Sequence, residues 1–356
     1  MTDLIVAGSG MAGLAAAARA RQLGASVDVY EKAGRVGGSM LLSSGVIWRY
    51  ADWDEFRRQC PDGDAELQRA VHEGLDDALD WLVSLGASVT EPSTGNPLTA
   101  GRRFDTRELC AALLRTGPHL HLAEAAPPPA KVPLVLATGG FQADDWLVRE
   151  WISAEPLLVR SNGCSQGDGL RAGLEAGGVY TAGMDQFYGR AMPAVEHLHE
   201  THWVQTAQLY ARHASAIENS AGRRYEGELD WSELKVVQWI ARQKGARAWF
   251  VVPEAALGEP TRYGTVAEQI ERARGLGAKV EQRGDSVAVE VRAGITQTLG
   301  GLRVNGDGRV LRGDDSAIDG LFAAGGDAGG VATGGYMSNL AAAVVIGKRA
   351  AEAALA

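Results

Sequence analysis

Cysteine is scarce in this chain: Cys60, Cys110 and Cys164 are its only thiols in 356 residues. Their scatter, with no CxxC or zinc-site spacing, excludes a disulfide-stapled scaffold and a structural zinc module. They are read as reduced and buried. Positive charge is also short. Lys and Arg number 35 against 44 Asp and Glu, a formal net charge of −9, so nothing marks a nucleic-acid partner. No apolar run approaches the roughly 20 residues that span a bilayer. The first strand is read from residue 3, which leaves no room for a signal peptide, and the expected compartment is cytoplasmic. His119 and His121 alternate in "HLHLAE", on one face of a strand, and His197, His199 and His202 fall in "EHLHETHW". Neither stretch has an acidic or cysteine partner at a recognised ligand spacing. Both are read as core or exposed histidines, and no metal is expected.

Glycine is abundant, and its placement carries the argument. In "MTDLIVAGSGMAGLAAAARARQLGASVDVYEK" residues 3–7 read as a buried parallel strand, 11–23 as a helix and 26–30 as a second strand. Gly8, Gly10 and Gly13 lie between the first strand and the helix. Gly8 permits a tight turn, Gly10 lets a pyrophosphate approach the backbone, and Gly13 lets helix and strand pack closely. The helix N-terminus offers free N–H groups and a positive dipole end to the phosphates. Glu31 ends the second strand, where a carboxylate accepts from a ribose hydroxyl. An acid there disfavours a 2′-phosphate and leaves FAD or NAD.

Further along, 64–86 reads as an amphipathic helix with Leu67, Val71, Leu75, Leu79 and Leu82 on one stripe, and 105–116 as another. "APPPAK" (126–131) is a stiff break, and "VPLVLATGG" (132–140) a buried strand entering a glycine turn. From about 180 to 280 Trp, Tyr, His and Arg concentrate, poor material for a doubly wound sheet and suited to a separate layer. The chain ends in a second strand–turn–helix device, "IDGLFAAGGDAGGVATGGYMSNLAAAVVIGKRAA". NAD needs only the first device, whereas FAD must also be held at its ribitol and flavin. Asp327, just past the strand, is placed for a ribitol hydroxyl, and the turn 334–338 opens a helix whose N-terminus can face the flavin. That favours FAD.

With "GSGMAGLAAA", "GGSMLLSSGVIW", "LATGGF", "GCSQGDGLRAGLEAGG", "NSAGRRYEGE", "AGITQTLGGLRVNGDGRVL" and "FAAGGDAGG", the chain resembles the flavoprotein superfamily of fumarate reductases, succinate dehydrogenases and 3-ketosteroid dehydrogenases. The resemblance implies an α/β fold. A Rossmann-like, glutathione-reductase-like FAD-binding domain (1–180 and 285–356) would be interrupted by an α+β capping domain (181–284), with substrate held between cap and flavin. It implies cofactor contacts from Gly8, Gly10, Met11, Ala12, Gly13, Glu31 and Lys32, and from Gly37, Gly38, Ser39, Met40, Ser43, Ser44 and Gly45. Ala137, Thr138, Gly139, Gly167 and Asp168 would pass the dinucleotide. Gly326, Asp327, Ser338, Asn339 and Leu340 would hold the ribitol and flavin. Relatives usually carry an extra β-hairpin near 119–140, which this chain has lost.

The departures concern the reaction. Fumarate reductases carry a histidine pair where this chain has Thr296 and Gln297, an arginine acid about where Ser232 stands, and an arginine motif where this chain reads Gly335-Tyr336-Met337-Ser338-Asn339. Without those cations a dicarboxylate is costly to desolvate. The attachment histidine of succinate dehydrogenase is absent from "GGSMLLSSG", so FAD should be non-covalent. The ketosteroid dehydrogenase branch is the nearer likeness. It implies removal of hydrogens from adjacent carbons beside a carbonyl, one as a proton and one as hydride to flavin. The expected substrate is a small, neutral, fairly apolar carbonyl compound contacted by Thr296 and Gln297. Tyr336 is the first candidate to polarise the carbonyl or carry the proton. Tyr188 and Tyr263 follow, and Tyr225, in a structural motif, comes last. The alternatives are an ene-reductase, an amine oxidase, or a flavin-binding protein with a decayed site. The substrate, electron acceptor and oligomeric state stay open.

Overall fold

In the computed structural model, which describes residues 2–128 and 131–356, the opening apolar run forms the strand Leu4–Ala7. The helix Met11–Gln22 and the strand Val27–Glu31 follow. Seven small residues of that helix, Ala12, Gly13, Ala15, Ala16, Ala17, Ala18 and Ala20, are buried. Their lack of bulk lets the final helix, Asn339–Ala354, lie directly against them. A methyl at Gly347 would meet the Ala12 carbonyl.

By internal contacts the chain forms two units. The first comprises Met1–Asp144, Asn162–Gln186 and Gln297–Ala356. Its main sheet has the spatial order 309–311, 317–323, 134–136, 4–7, 27–31, 119–122. Every pairing is parallel except that between the first two strands. Val6, Val29, Val135 and Phe322 of this sheet join Ala16, Ala17, Ala20, Ala350 and Ala351 of the helices in one core. The stripe expected on 64–86 lies on the helix Ala65–Ser84, and all five of its residues are buried. Asp64 caps that helix by accepting from the Leu67 amide at 3.0 Å. An antiparallel sheet of 46–50, 99–104 and 89–91 completes the unit.

The second unit comprises Asp145–Ser161 and Phe187–Thr296. Its centre is an antiparallel sheet in the order 216–218, 247–253, 286–298, 280–283, to which 158–159 and 187–193 add on the long strand. The strand Ser286–Thr298 pairs with 247–253 and 280–283, and by internal contacts residues 145–161 and the strand through residue 296 belong to this unit, so its bounds differ from the expected 181–284.

The thiols are free. Burial pushes Cys60 up to about 12, whereas Cys164 is only partly buried and departs from expectation. "APPPAK" falls partly on 129–130, outside the described residues. Among the described residues no helix is long and apolar enough to cross a membrane.

Candidate functional site

The turn between Ala7 and Met11 is closed on two sides and open on a third. Gly8 has φ +104°, and a methyl on it would strike the Ala137 carbonyl; a methyl on Gly13 would strike the Gly8 carbonyl. At Gly10 a methyl would meet nothing within 4 Å. The Leu14 amide makes the first intrahelical bond, to Gly10 O at 2.9 Å. The amides of Met11, Ala12 and Gly13 therefore have no carbonyl one turn back. No side chain caps this helix and its first turn holds no acid, so its dipole end suits an anion.

Glu31 is buried, and its carboxylate grips this turn. One oxygen accepts from Ser9 N at 3.0 Å and Ser9 Oγ at 2.6 Å; the other accepts from Ala33 N at 2.8 Å. Ser9, unremarked in the sequence, thus ties the acid to the glycine loop. Lys32 Nζ lies 2.9 Å from Asp168 and 2.7 Å from Gln166 Oε1, which brings two candidate segments together. Gly37 N donates to Ser9 O at 2.9 Å, and a methyl on Gly38 would stand 3.2 Å from Gly10 Cα. The short turn Gly38–Leu42 therefore sits beside the glycine loop. Ser39 Oγ accepts from Asn162 N at 3.0 Å. Met40 is buried. Ser43 Oγ donates to Met40 O and accepts from Gly45 N, while Ser44 is partly exposed.

Asp327 is held by the protein's own donors. It is fully buried. Its oxygens accept from Thr138 N, from Thr138 Oγ1 at 3.0 Å and from Gly140 N at 3.2 Å. Burial raises its carboxyl to about 6, against the opposing hydrogen bonds from Thr138, Gly140 and Gly139. The carboxylate thus joins the turn after 134–136 to the turn after 317–323, and a ribitol would have to share its oxygens. Gly326 packs on Gly139, where a methyl would be 2.6 Å from the carbonyl carbon. Around Gly140, Gln142 Oε1 and Thr298 Oγ1 are buried without a hydrogen-bond partner, as is Thr333 Oγ1.

Tyr336 lies in the turn before the final helix. Its ring packs edge-on to Trp48 at 5.2 Å, and its carbonyl accepts from the Tyr50 hydroxyl at 2.6 Å. Ser338 stands at the N-cap position, but its hydroxyl turns away and donates to Val46 O at 3.3 Å. No side chain caps the helix and no acid occupies its first turn. The amides of Asn339 and Leu340 start it.

Thr296 is not in neutral company. In the second unit Arg160 Nη1 donates to Thr296 Oγ1 at 3.0 Å, and Arg160 also holds Trp203 O. Arg190 Nη1 donates to the Ser232 carbonyl, and its guanidinium lies 5.1 Å from the Tyr188 ring centre. Cations are absent from the sequence at Thr296 and Ser232, but the fold brings an arginine to each from a distant position. Beside Ser232, burial raises Glu233 to about 7 while Arg190 pulls it down. Tyr263 sits in the 261–264 hairpin, its amide bonded to Thr261 Oγ1 at 3.2 Å. The Tyr225 hydroxyl donates to Glu228 O at 3.0 Å.

His119 and His121 do have an acidic partner. Asp28 Oδ1 lies 2.8 Å from His119 Nδ1 and 3.1 Å from His121 Nε2. Spacing along the chain hid it because the parallel pairing of 27–31 with 119–122 brings them together.

A strand, an uncapped helix N-terminus open at Gly10 and a buried acid at the second strand's end define a dinucleotide-binding fold. The family model of the FAD binding domain matches residues 3–126 and 129–339. The chain belongs to that family: it is a flavoprotein of the oxidoreductase class, and its cofactor is FAD. A Shewanella frigidimarina protein named probable fumarate reductase is 24% identical, over 93% of this chain and 70% of its own. A Klebsiella pneumoniae NADH:fumarate oxidoreductase is 23% identical over 97% of this chain, which spans 46% of that protein. Among solved structures, a 3-ketosteroid-Δ4-(5α)-dehydrogenase from Rhodococcus jostii superposes with a TM-score of 0.75 at 19% identity, covering 99% of this chain and 96% of that one. The open Gly10, the uncapped helix ends and the unpartnered polar atoms near Gly140 fit the group.

Proposed function

We propose that the protein moves hydrogen across a carbon–carbon bond next to a carbonyl, in a small molecule that is neutral and fairly apolar. FAD, when bound, supplies the two-electron acceptor or donor. The observation that carries the reading is Tyr336, its backbone held by Tyr50 and its ring by Trp48, immediately before the uncapped N-terminus of the final helix. In this reading its hydroxyl donates to the substrate carbonyl as enolate character builds and the α-hydrogen leaves as a proton. Gly8, Gly10 and Gly13 hold the pyrophosphate and Glu31 the ribose. The flavin is non-covalent, so acid precipitation releases it.

Arg160 beside Thr296 favours a second reading, an enoate carrying one carboxylate. A single guanidinium suffices for one negative charge, and Arg190 is engaged with the Ser232 carbonyl. Anaerobic mixing separates the two. A saturated ketone that bleaches the oxidised enzyme, or a neutral enone that reoxidises the reduced enzyme, supports the first. Reoxidation by a monocarboxylate enoate alone supports the second. Tyr336→Phe should keep FAD and its spectrum while kcat falls on the order of 10²-fold. Turnover at the wild-type rate would move the search to Tyr188 and Tyr263.

A further inference from the structure

We propose that Asp28, His119 and His121 form a binding site for one divalent transition-metal ion of the zinc class. The three ligand atoms lie within 4.8 Å of one another. They come from two adjacent strands of the first unit, on the side of the sheet away from Glu31, and are unrelated to the proposed reaction. Asp28 and His119 are register partners in the parallel pair, and the period of two puts His121 on the same face.

Neighbouring side chains hold the three groups. Thr2 Oγ1 donates to Asp28 Oδ2, which leaves Oδ1 turned to the imidazoles. Tyr30 stacks on His121 with centroids 4.3 Å apart and planes 6° from parallel. That contact fixes the ring with Nε2 toward Asp28. The other ring nitrogen, Nδ1, lies 3.7 Å from Glu124 Oε2. That is ion-pair distance; with the carboxylate drawn in to a hydrogen bond, it would orient the ring and raise the basicity of the ligating nitrogen. The side chains of Asp28 and His121 are 19% and 23% exposed and that of His119 is 74% exposed, so an ion enters from solvent without opening the fold.

Two imidazoles and one carboxylate select the ion. Nitrogen donors suit zinc, nickel, cobalt or copper and disfavour magnesium and calcium. A tetrahedral ion with bonds of about 2.0–2.1 Å needs ligands roughly 3.3 Å apart. The 2.8 and 3.1 Å separations from Asp28 Oδ1 must open by a few tenths of an ångström, and the two imidazole nitrogens, within 4.8 Å of each other, must draw together toward the same spacing, a movement that the exposed His119 can make. Water takes the fourth position. Glu124 N donates to Glu31 O at 3.0 Å, so the ion would clamp the edge strand to the strand that ends in Glu31.

The test is calorimetric titration of untagged holoprotein with Zn²⁺. One equivalent should bind, and the melting temperature should rise with it. His119→Gln with His121→Gln should weaken that site on the order of 100-fold or abolish it and remove the thermal shift. Glu124→Gln should weaken it about tenfold. If the double variant does not fold, the exposed His119→Gln alone should still lose at least about tenfold. Zn²⁺ that binds the double variant as it binds the wild type would place the ion elsewhere, for example on His197, His199 and His202, and overturn the proposal. So would the absence of saturable binding up to millimolar Zn²⁺.

Discussion

Each unit buries a carboxylate, and the two are held by different means. Asp327 in the first unit is gripped by the amides of Thr138 and Gly140 and the Thr138 hydroxyl. Glu233 in the second accepts from Ala211 N at 2.9 Å and faces the guanidinium of Arg190. The first unit positions groups with backbone, so its segments must approach closely and glycine is required where they touch. The second positions groups with long side chains, so its arrangement depends on charge. An added methyl should break one and a change of pH should load the other.

The largest effect should come from Gly13→Ala. The new methyl would meet the Gly8 carbonyl, which is backbone and cannot swing away. Overpacking of this kind costs about 3 kcal/mol, visible as a lower melting temperature and poor soluble yield. Gly10→Ala sharpens the contrast. Nothing lies within 4 Å of its added methyl and its φ is −75°, so apoprotein stability should change by less than about 1 kcal/mol. The methyl would instead occupy the space left for the pyrophosphate, and FAD retention should fall at least about tenfold. Wild-type melting of Gly13→Ala, or wild-type FAD content of Gly10→Ala, would break the distinction.

In the second unit the sensitive group is Glu233. Burial raises its carboxyl from 4.5 to about 7, the nearby Arg190 and the Ala211 and Arg212 amides opposing. Tyr210 is buried close by, and burial followed by Glu233 raises its hydroxyl. The sign follows from proton counting. Between pH 4.5 and about 7 the folded state holds the proton and the unfolded state has lost it, so stability declines as pH rises through that window. The full decline is at most about 3 kcal/mol. Urea unfolding of the wild type and Glu233→Gln at pH 5 and pH 8 should show the loss in the wild type and a flatter profile in the variant. Parallel profiles would mean that Arg190 keeps the carboxylate ionised throughout.

The same contrast explains what the sequence made legible. The strand–glycine–helix opening, Glu31, the stripe from Leu67 to Leu82 and the final helix all rest on local pattern, and the structure has those elements. The strands 89–91 and 99–104 were missed because "VTE" and "TAGRRF" lack apolar alternation; they are ordered by pairing with 46–50. Arg160 reaches Thr296 across 136 positions, and Asp28 reaches His119 and His121 across 91 and 93. No window of residues contains such a pair. Ser9 was within reach, since a small hydroxyl between two glycines of a phosphate loop can be held by the acid that ends the next strand.

Glu31→Ala should have the smallest effect and tests whether the first unit's glycine loop also needs its charged anchor. The carboxylate holds Ser9 N, Ser9 Oγ and Ala33 N. Its removal leaves two amides and a hydroxyl without their partner and loosens the turn that carries Gly8 and Gly10, a cost of about 1 to 2 kcal/mol, while the other buried carboxylate of the unit, Asp327, keeps its own donors. If the acid also accepts from the ribose, FAD should dissociate about tenfold more readily, while kcat at saturating FAD stays within about twofold, because the ribose is remote from the reacting atoms. Glu31→Gln separates shape from charge. Its single carbonyl oxygen can still accept from Ser9, but its NH₂ would face the Ala33 amide, donor against donor, so it should fall between wild type and alanine. Flavin released during gel filtration, measured by fluorescence, ranks the three. Equal retention in all three would remove Glu31 from the cofactor site and leave it as a strut for Ser9 alone.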